Sequence, residues 1–289
     1  MLTMLPQQLI NGLTLGSTYA LIALGLTLVF GVLLVPNFAH GELYMLGAFT
    51  TYAVTAAGVN FWLAVCIATL IVIAVGILID MVVFRPLEHS SSLSLMIAAL
   101  AVSIILQQIA TIIWGAEPRT TPNPIPGSVR TEWFSISYYQ LFIIAVMALG
   151  WLGVKAVLNH SRLGLAIRAV AQNRDAAQLM GIELIYVRIA TFAISALLGG
   201  ITGALLGANF PVYPTMGITP VLKAFVVLVI GGIGNLWGAI FGGLLLGIVE
   251  VMVAGYISSQ FQDVGTFLVL VLVLLLRPQG LFGRPLLER

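Results

Sequence analysis

Nine apolar stretches, most of them long enough to cross a lipid bilayer, restrict the fold of this chain more than any other feature. A helix that spans the hydrocarbon core needs roughly 20 mostly apolar residues. The stretches are 9–33, 38–57, 61–84, 93–114, 138–157, 189–208, 218–233, 236–256 and 264–276. The first two nearly touch and the seventh is short, so the number of crossings stays open. The sequence predicts an all-α, polytopic transmembrane helical bundle with about 8–10 spans, some of them broken or re-entrant.

The composition agrees with a membrane protein and excludes several other classes. Hydrophobic residues make up 60% of the 289 positions and charged residues only 8%, whereas soluble domains carry about 25% charged residues. The formal net charge of +2 is too small to indicate a nucleic-acid partner. The single cysteine, Cys66, excludes an internal disulfide and a cysteine-rich metal site. We therefore expect residues 1–289 to form one transmembrane domain in contact with the lipid bilayer.

One segment between the fifth and sixth stretches cannot lie in hydrocarbon. This charged segment, Asn159–Arg188, carries Arg162, Arg168, Arg174, Asp175, Glu183 and Arg188. Apolar residues still recur in it at helical spacing, from Leu163 to Met180. The pattern predicts a short amphipathic helix, a turn at Gly181 and re-entry into the membrane at Ile189. Such an element is either a solvated connector or a docking surface for a partner.

The positions of the cationic residues predict an orientation. With the charged segment in the cytoplasm and nine crossings, the cytoplasmic side receives Arg85, Lys155, Arg162, Arg168, Arg174, Arg188, Arg277, Arg284 and Arg289. The opposite side receives Arg119, Arg130 and Lys223. This excess follows the positive-inside rule and predicts an extracytoplasmic N-terminus and a cytoplasmic C-terminus. The non-helical loop 115–137, which contains four prolines, then faces outward as a plain connector or a landing surface for an external partner.

Polar residues interrupt the chain between the first two stretches. Asn37, His40 and Glu42 follow one another closely there and would be costly against lipid. They therefore lie at an inner membrane boundary or in a protected interior. A second interruption, the sequence GGIGN at 231–235, shortens the seventh stretch.

Broken spans are tolerated where they are buried in protein or line a cavity. Candidates for a translocation pathway are thus Asn37, His40, Glu42, Gly232, Gly234 and Asn235. Glu250, inside the eighth stretch, is a further candidate, with a helix–helix hydrogen bond as the alternative role.

Three other charged residues lie close to the ends of stretches. Asp80 precedes Arg85 by about one turn, and we expect the two to pair near the cytoplasmic surface. Lys223 could meet an anionic group of a substrate, but extension of its ammonium group to the lipid headgroups is the favoured interpretation. Asp263 is expected to be solvated at the outer boundary.

No catalytic constellation is apparent. His40, His89 and His160 lie in separate regions, and no pair of potential ligands has metal-site spacing such as HExxH. The sequence also lacks a GxSxG elbow, a Walker phosphate loop and a dinucleotide fingerprint. We therefore predict no enzyme activity, no metal and no cofactor, and any ATP-driven machine built on this chain would hold its nucleotide on another subunit.

Five sequence segments resemble known permeases. Asp175–Gly181 (DAAQLMG) is similar to the EAA loop of ABC importer permeases, with aspartate in place of glutamate and without the usual hydrophobic–x–Leu-Pro ending. The runs NGLTLGSTYALIALGLTLVFGV and NFAHGELYMLGAF resemble the start of branched-chain amino acid permeases of the LivH type. KAFVVLVIGGIGNLWGAIFGGLLLGIVE and the ending LRPQGLFGRP resemble the same family, so the similarity extends from about residue 8 to residue 285.

This resemblance implies a subunit of an ATP-binding-cassette importer. A periplasmic solute-binding protein would deliver the amino acid, and a homologous LivM-type permease would complete the pathway. Two cytoplasmic ATPases would dock on a coupling helix in the charged segment, through Arg168, Arg174, Asp175, Ala176, Ala177 and Gly181. In that helix the two alanines would form a narrow face that enters a groove of the ATPase. Related permeases also handle urea, amides or other amino acids, so the resemblance leaves the substrate open.

Three other functions compete with this one. A proton- or sodium-driven secondary transporter would use Glu42 or Glu250 as a relay. A membrane enzyme would use His40 and Glu42 as an acid–base pair, although a third orienting group is missing. A non-transporting scaffold subunit would not need the interrupted stretches.

Overall fold

The fold is all-α, as predicted, in a computed structural model that describes residues 5–35, 37–131 and 134–283. The helices are α1 (Leu5–Leu33), α2 (His40–Ala56), α3 (Phe61–Ile79), α4 (Ser92–Trp114), α5 (Tyr138–His160), α6 (Arg162–Gln172), α7 (Arg174–Leu179), α8 (Leu184–Leu206), α9 (Ile218–Gly231), α10 (Leu236–Tyr256) and α11 (Gln262–Leu276). A π-helical turn, Asp80–Phe84, continues α3, and a 3₁₀ turn, Ser259–Phe261, precedes α11. Seven helical segments of the described residues are long and apolar enough to cross a membrane. The prediction of a polytopic helical membrane protein is confirmed.

Each predicted apolar stretch coincides with one helix, but two of these helices are short. α2 has 17 residues and α9 has 14. At 1.5 Å per residue, α9 is about 21 Å long, less than the roughly 30 Å of hydrocarbon in a bilayer. The helix after the charged segment, α8, begins at Leu184, five residues before the predicted point of membrane re-entry at Ile189.

The proline loop is non-helical from Gly115 onward, as predicted, but it contains a hairpin that the prolines do not indicate. Strands β1 (Ser128–Arg130) and β2 (Ser135–Ser137) pair in antiparallel register. Arg119, nearer the start of the loop, exchanges two backbone hydrogen bonds of 2.7 and 2.8 Å with Val212. These bonds satisfy backbone groups in a stretch where proline excludes a helix.

The chain forms two compact units, and neither is continuous in sequence. The first comprises the described residues up to Thr27, from Asn123 to Trp151, and from Leu222 onward. The second comprises Leu28–Pro122 and Leu152–Val221. Helices α1, α5 and α9 each begin in one unit and end in the other.

In the first unit, small residues bring α1 and α10 into backbone contact. A Cβ added at Gly247 would lie against the backbone of Gly16, and one added at Gly243 would lie 2.7 Å from the backbone nitrogen of Ala20. Close approach of this kind lets helices in a membrane gain packing energy without a hydrophobic driving force. The glycines of the eighth apolar stretch therefore have a packing role.

In the second unit, α8 packs between α2 and α3. A Cβ at Gly47 of α2 would meet the backbone of Gly200, and one at Gly76 of α3 would lie 2.6 Å from the Cβ of Ala196. Later residues of α2 contact later residues of α8, whereas later residues of α3 contact earlier residues of α8. α2 and α8 are therefore parallel, and α3 is antiparallel to both.

Helix α2 begins deep in this unit rather than at its edge. Its first residue, His40, lies beside Ser195, which is 11 residues into α8 (position 195 against a start at 184). That displacement corresponds to about 16 Å along the helix axis. The connection after Leu33 therefore enters the interior in a non-helical conformation before α2 starts. α2 is short because its first turns are replaced by this segment.

A second connection reaches the same depth from the other end of α8. The chain leaves α8 after Leu206, and by Gly217 it lies against Gly41 of α2. Helix α9 begins at the next residue, Ile218. The shortness of α9 thus reflects where it starts, in addition to the glycines at its end.

Candidate translocation and coupling sites

Glu42 forms a buried polar cluster with two side chains of α4. The Ser103 hydroxyl donates to Glu42 Oε1 over 2.7 Å, and Gln107 Nε2 donates to the same oxygen over 2.8 Å. Glu42 has no exposed surface, and its other oxygen, Oε2, has no hydrogen-bond partner among the described residues. A buried acceptor without a protein partner is costly, which distinguishes Glu42 from an ordinary core residue.

His40 and Asn37 lie beside this cluster, at the buried start of α2. His40 Nδ1 is 3.2 Å from the hydroxyl of Ser195, and its ring lies against Gly199. Asn37 is also buried, and within the described chain its Oδ1 has no hydrogen-bond partner. The interruption between the first two apolar stretches therefore lies in a protected interior, which was one of the two predicted locations.

Glu250 belongs to a second cluster, in the first unit, together with Lys223. Lys223 Nζ lies 3.2 Å from Glu250 Oε1 and 2.6 Å from Asp263 Oδ1. Tyr19 and Gln262 also donate hydrogen bonds to Glu250 Oε1, over 3.1 and 2.5 Å. Four helices, α1, α9, α10 and α11, thus share one buried network. Glu250 is at least a helix–helix hydrogen-bonding group, as one of its two predicted roles requires.

The predicted extension of Lys223 to the headgroups is wrong. Its side chain is only 4% exposed, because two carboxylates and the Thr266 hydroxyl hold the ammonium group inside the unit. A buried ammonium group needs such partners, since its desolvation costs several kcal/mol. Asp263 keeps 70% of its side chain exposed while it contacts Lys223, in agreement with the predicted solvation.

The GGIGN sequence forms the turn between α9 and α10. Gly232 and Gly234 have φ angles of +96° and +78°, which only glycine adopts without strain. Asn235 caps α10 through hydrogen bonds from the backbone N–H groups of Trp237 and Gly238, and its Nδ2 donates to the carbonyl of Phe282 over 2.8 Å. These contacts explain the three residues structurally, and a pathway role for them stays a prediction.

The charged segment folds into two helices and a turn, where the sequence predicted one helix and a turn. Ser161 caps α6 by accepting a hydrogen bond from Gly164 N, and Asn173 caps α7 by accepting one from Ala176 N. Because Asn173 is extended, it separates the two helices. Gly181 has a φ of +82° and forms the predicted turn before α8.

Helix α7 presents an apolar surface away from the rest of the chain. Leu179 is 88% exposed and Met180 is 82% exposed. Asp175, Ala176 and Gly181 are exposed beside them. The end of α7 therefore carries exposed apolar surface within the charged segment.

The predicted role of Ala177 in docking is wrong. Ala177 is 4% exposed and faces the interior of its own unit. Helix α7 is six residues long and buries one face against the rest of its unit, and Ala177 lies on that face. Ala176 therefore remains available to a partner and Ala177 does not.

The other predicted coupling residues separate into two environments. Arg168 is exposed, and its Nη1 donates to Asn159 Oδ1 over 3.0 Å. Arg174 forms an ion pair with Glu88, in the connection before α4. Partial burial and the positive charge of Arg188 lower the pKa of Arg174, yet arginine stays protonated in proteins.

The predicted pairing of Asp80 with Arg85 is wrong. Asp80 Oδ1 accepts a hydrogen bond from Arg188 Nε over 2.6 Å, and both side chains are almost completely buried. Arg188 Nη1 also lies 3.3 Å from Glu88 Oε2. Arg188 is 108 positions from Asp80, so no local sequence signal identifies the pair.

The structure also shows which groups are not brought together. His40, His89 and His160 remain apart in sequence and position, and no group of three or more His, Cys, Asp or Glu side chains in the described ranges could hold a metal ion. Arg284 and Arg289, which contributed to the predicted orientation, lie outside the described residues, as does Pro36. Among the polar partners that the sequence analysis missed are Ser103 and Gln107 at Glu42, Ser195 at His40, and Glu88 at Arg174.

Comparison with known proteins identifies relatives along nearly the whole chain. Residues 8–276 match the family described as branched-chain amino acid transport system, permease component. The chain is 39% identical to the high-affinity branched-chain amino acid transport system permease protein LivH of Salmonella typhimurium, over 98% of this chain and 97% of the relative. It is equally similar to BraD of Pseudomonas aeruginosa, with the same coverage. The ribose import permease protein RbsC of Escherichia coli is 26% identical, over 92% of this chain and 84% of the relative.

Proposed function

We propose the function of this chain from its family, because it belongs to the permease components of branched-chain amino acid transport systems. We infer that this membrane permease subunit translocates branched-chain, hydrophobic amino acids. The observation that carries this proposal is the 39% identity to two branched-chain amino acid permeases over nearly their full length. The more distant ribose permease shows that the wider group does not share one substrate.

The arrangement of buried polar groups supports the substrate class. A branched-chain amino acid carries an apolar side chain, one carboxylate and one ammonium group. The two buried clusters place a carboxylate at Glu42 and an ammonium–carboxylate pair at Lys223 and Glu250 among mainly apolar helices. Such a small number of polar groups is suited to a pathway that binds its substrate only weakly. We propose Asn37, His40, Glu42 and Glu250 as pathway residues on this basis.

The exposed end of the charged segment supports the proposal of cytoplasmic ATPase partners. Leu179 and Met180 would enter a groove of the ATPase, with Ala176 and Asp175 at its rim. The described chain presents no phosphate-binding glycine loop, so ATP would be hydrolysed by the partner subunits. Under this proposal the charged segment lies in the cytoplasm. Because an odd number of crossings precedes that segment, the N-terminus would lie outside.

The remaining partners follow the same reasoning. A periplasmic amino-acid-binding protein would deliver the substrate at the side of the proline loop. A homologous LivM-type permease would provide the other half of the pathway. Within this assembly, residues 1–289 would act as one permease domain, since three helices are shared by its two compact units.

Uptake into liposomes tests the substrate class. The complete transporter, with its ATPases, second permease and binding protein, is reconstituted with ATP inside or outside as the orientation requires. We expect uptake of labelled leucine that unlabelled isoleucine and valine compete away and that ribose and urea do not affect. Competition by urea or ribose, or uptake of leucine without ATP, would overturn the proposal. In the second case a secondary transporter would explain the data better.

A further inference from the structure

Four charged side chains form a continuous series of contacts from helix α7 to the buried π-helical turn that follows α3. Arg174, at the start of α7, pairs with Glu88, and Glu88 Oε2 lies 3.3 Å from Arg188 Nη1. Arg188 Nε in turn donates to Asp80 Oδ1 over 2.6 Å. We call Arg174, Glu88, Arg188 and Asp80 the ion-pair chain. Its members come from four separate sequence elements.

Burial increases along the ion-pair chain from the surface to the interior. The exposed fraction of the side chain is 40% for Arg174, 19% for Glu88, 5% for Arg188 and 1% for Asp80. An exposed ion pair contributes little to stability, whereas a buried charge cannot lose its partner without a large penalty. The inner pair is therefore fixed, and the outer pair is free to change with modest cost to the fold.

The inner pair lies where the π-helical turn after α3 meets α8. Asp80 begins the π-helical turn of α3, and the backbone N–H of Arg85 closes that turn on the Asp80 carbonyl. Next to the pair, Phe84 of the π-helical turn stacks on Phe192 of α8 with ring centroids 5.7 Å apart. π-helical turns are rare and occur frequently at functional sites. A shift of Arg188 would therefore displace α3 and α8 together.

Space for such a shift is present beside the outer pair. A cavity of about 180 Å³ is lined by Arg85, Glu88, Arg174 and Arg188, with Leu33 and Val170 among its apolar walls. Close-packed interiors have low compressibility, so this cavity provides room for α6 and α7 to move against the spans. Arg188 Nη2 is buried, and in the part of the chain that the structure describes it has no hydrogen-bond partner. The Arg188 guanidinium group can therefore donate to a different set of acceptors after such a shift.

We propose that the ion-pair chain transmits displacement of helix α7 to helices α3 and α8, with Glu88 and Arg188 as positioning residues for transport. This inference rests on the proposed function, because it requires a partner that moves α7. Docking at Leu179 and Met180 would shift α7, and Arg174 would carry Glu88 with it. Glu88 would then pull Arg188 and Asp80, which hold the end of α3 against α8. Because α8 also packs on α2, the movement would reach His40 and Glu42.

The ratio of amino acid taken up to ATP hydrolysed tests this proposal in the reconstituted complete transporter. The variants are Arg174→Met, Glu88→Gln and the two together, with Arg174→Lys as the conservative replacement. Each single variant is expected to lower the ratio at least about fivefold, the lower end of typical coupling between sites. If the two residues act as one unit, the double variant is no worse than the poorer single variant. Arg174→Lys should restore most of the ratio because it retains the charge.

Arg162→Met is the matched control, since Arg162 is exposed at the start of α6 in the same charged segment and is not one of the predicted coupling residues. Its ratio should equal that of the wild type. The unfolding temperatures of Arg174→Met and of the control in detergent should also be unchanged, because both replaced side chains are partly or fully exposed, and this separates transmission from a structural role. Normal ratios in the Arg174 and Glu88 variants, or effects that simply add, would overturn the ion-pair chain and leave the proposed function intact. A wild-type transporter without ATP-dependent uptake would overturn the proposed function, and this inference with it.

Discussion

Gly41 and Gly217 lie in direct backbone contact, so that a Cβ added to either residue would meet the carbonyl oxygen of the other. The two residues are far apart in sequence, yet they hold the start of α2 against the start of α9. This contact brings together the two non-helical connections that enter the second unit. The depth of His40 and Glu42 within the unit depends on it.

Replacement of Gly41 by alanine should therefore destabilise the protein. A forced methyl group in a packed interior costs about 1–3 kcal/mol, occasionally more. We expect a lower unfolding temperature for purified Gly41→Ala in detergent. Gly153→Ala is the control, because Gly153 lies within α5 with no atom within 4 Å of an added Cβ. Equal unfolding temperatures for the two variants would contradict the close contact.

Glu250 and Lys223 should behave as a mutually dependent pair. Glu250→Leu leaves the buried ammonium group with Asp263 as its remaining carboxylate partner. Loss of one member of a buried ion pair costs about 3–5 kcal/mol, whereas replacement of both members by apolar residues is often nearly neutral. Thermal unfolding should therefore rank the variant Glu250→Leu with Lys223→Met above Glu250→Leu alone. A double variant that is less stable than either single variant would show that the pair is not coupled.

Glu42 offers a test of the proposed pathway that leaves the proposed ATPase contact at α7 unchanged. In Glu42→Gln the carbonyl oxygen can still accept from Ser103 and Gln107, but the new amide group has no evident acceptor among the described residues. We expect a protein that still folds but shows altered leucine uptake. Ser103→Ala is the control, since it keeps the Glu42 carboxylate and removes only the two hydrogen bonds of the Ser103 hydroxyl, with Glu42 and Gln107, each worth about 0.5–1.5 kcal/mol. Normal uptake by Glu42→Gln would remove this residue from the pathway.

Cysteine labelling should verify the orientation. In a Cys66→Ala background, Thr120→Cys places a thiol in the exposed proline loop, and Gln178→Cys places one on exposed α7. A membrane-impermeant maleimide applied to intact spheroplasts should label the first variant and spare the second. The reverse pattern would invert the proposed orientation, and labelling of neither would refute the exposed loop.

The spans were predictable because an apolar stretch must form a helix in a bilayer whatever its neighbours are. The starting depths of α2 and α9 were not, because they depend on the contact between Gly41 and Gly217. The partners of Asp80 and Lys223 were missed for a related reason. For Asp80, spacing along the sequence suggests only a nearby partner such as Arg85. The observed partners of Asp80 and Lys223 come from helices that are distant in sequence. The orientation of Ala177 was equally hidden, since a six-residue helix is too short for its buried face to be read from periodicity.

Co-purification of an ATPase with the tagged chain tests the central claim most directly. The wild type is compared with Met180→Asp, which alters the exposed end of α7, and with Val129→Asp, which alters an exposed apolar residue of β1 in the proline loop. Both replacements are at exposed positions, where stability usually changes by no more than about 0.5 kcal/mol. We expect an ATP-hydrolysing subunit to co-purify with the wild type and with Val129→Asp, and to be lost with Met180→Asp. A chain that purifies without an ATPase and still moves leucine across a membrane would contradict the account.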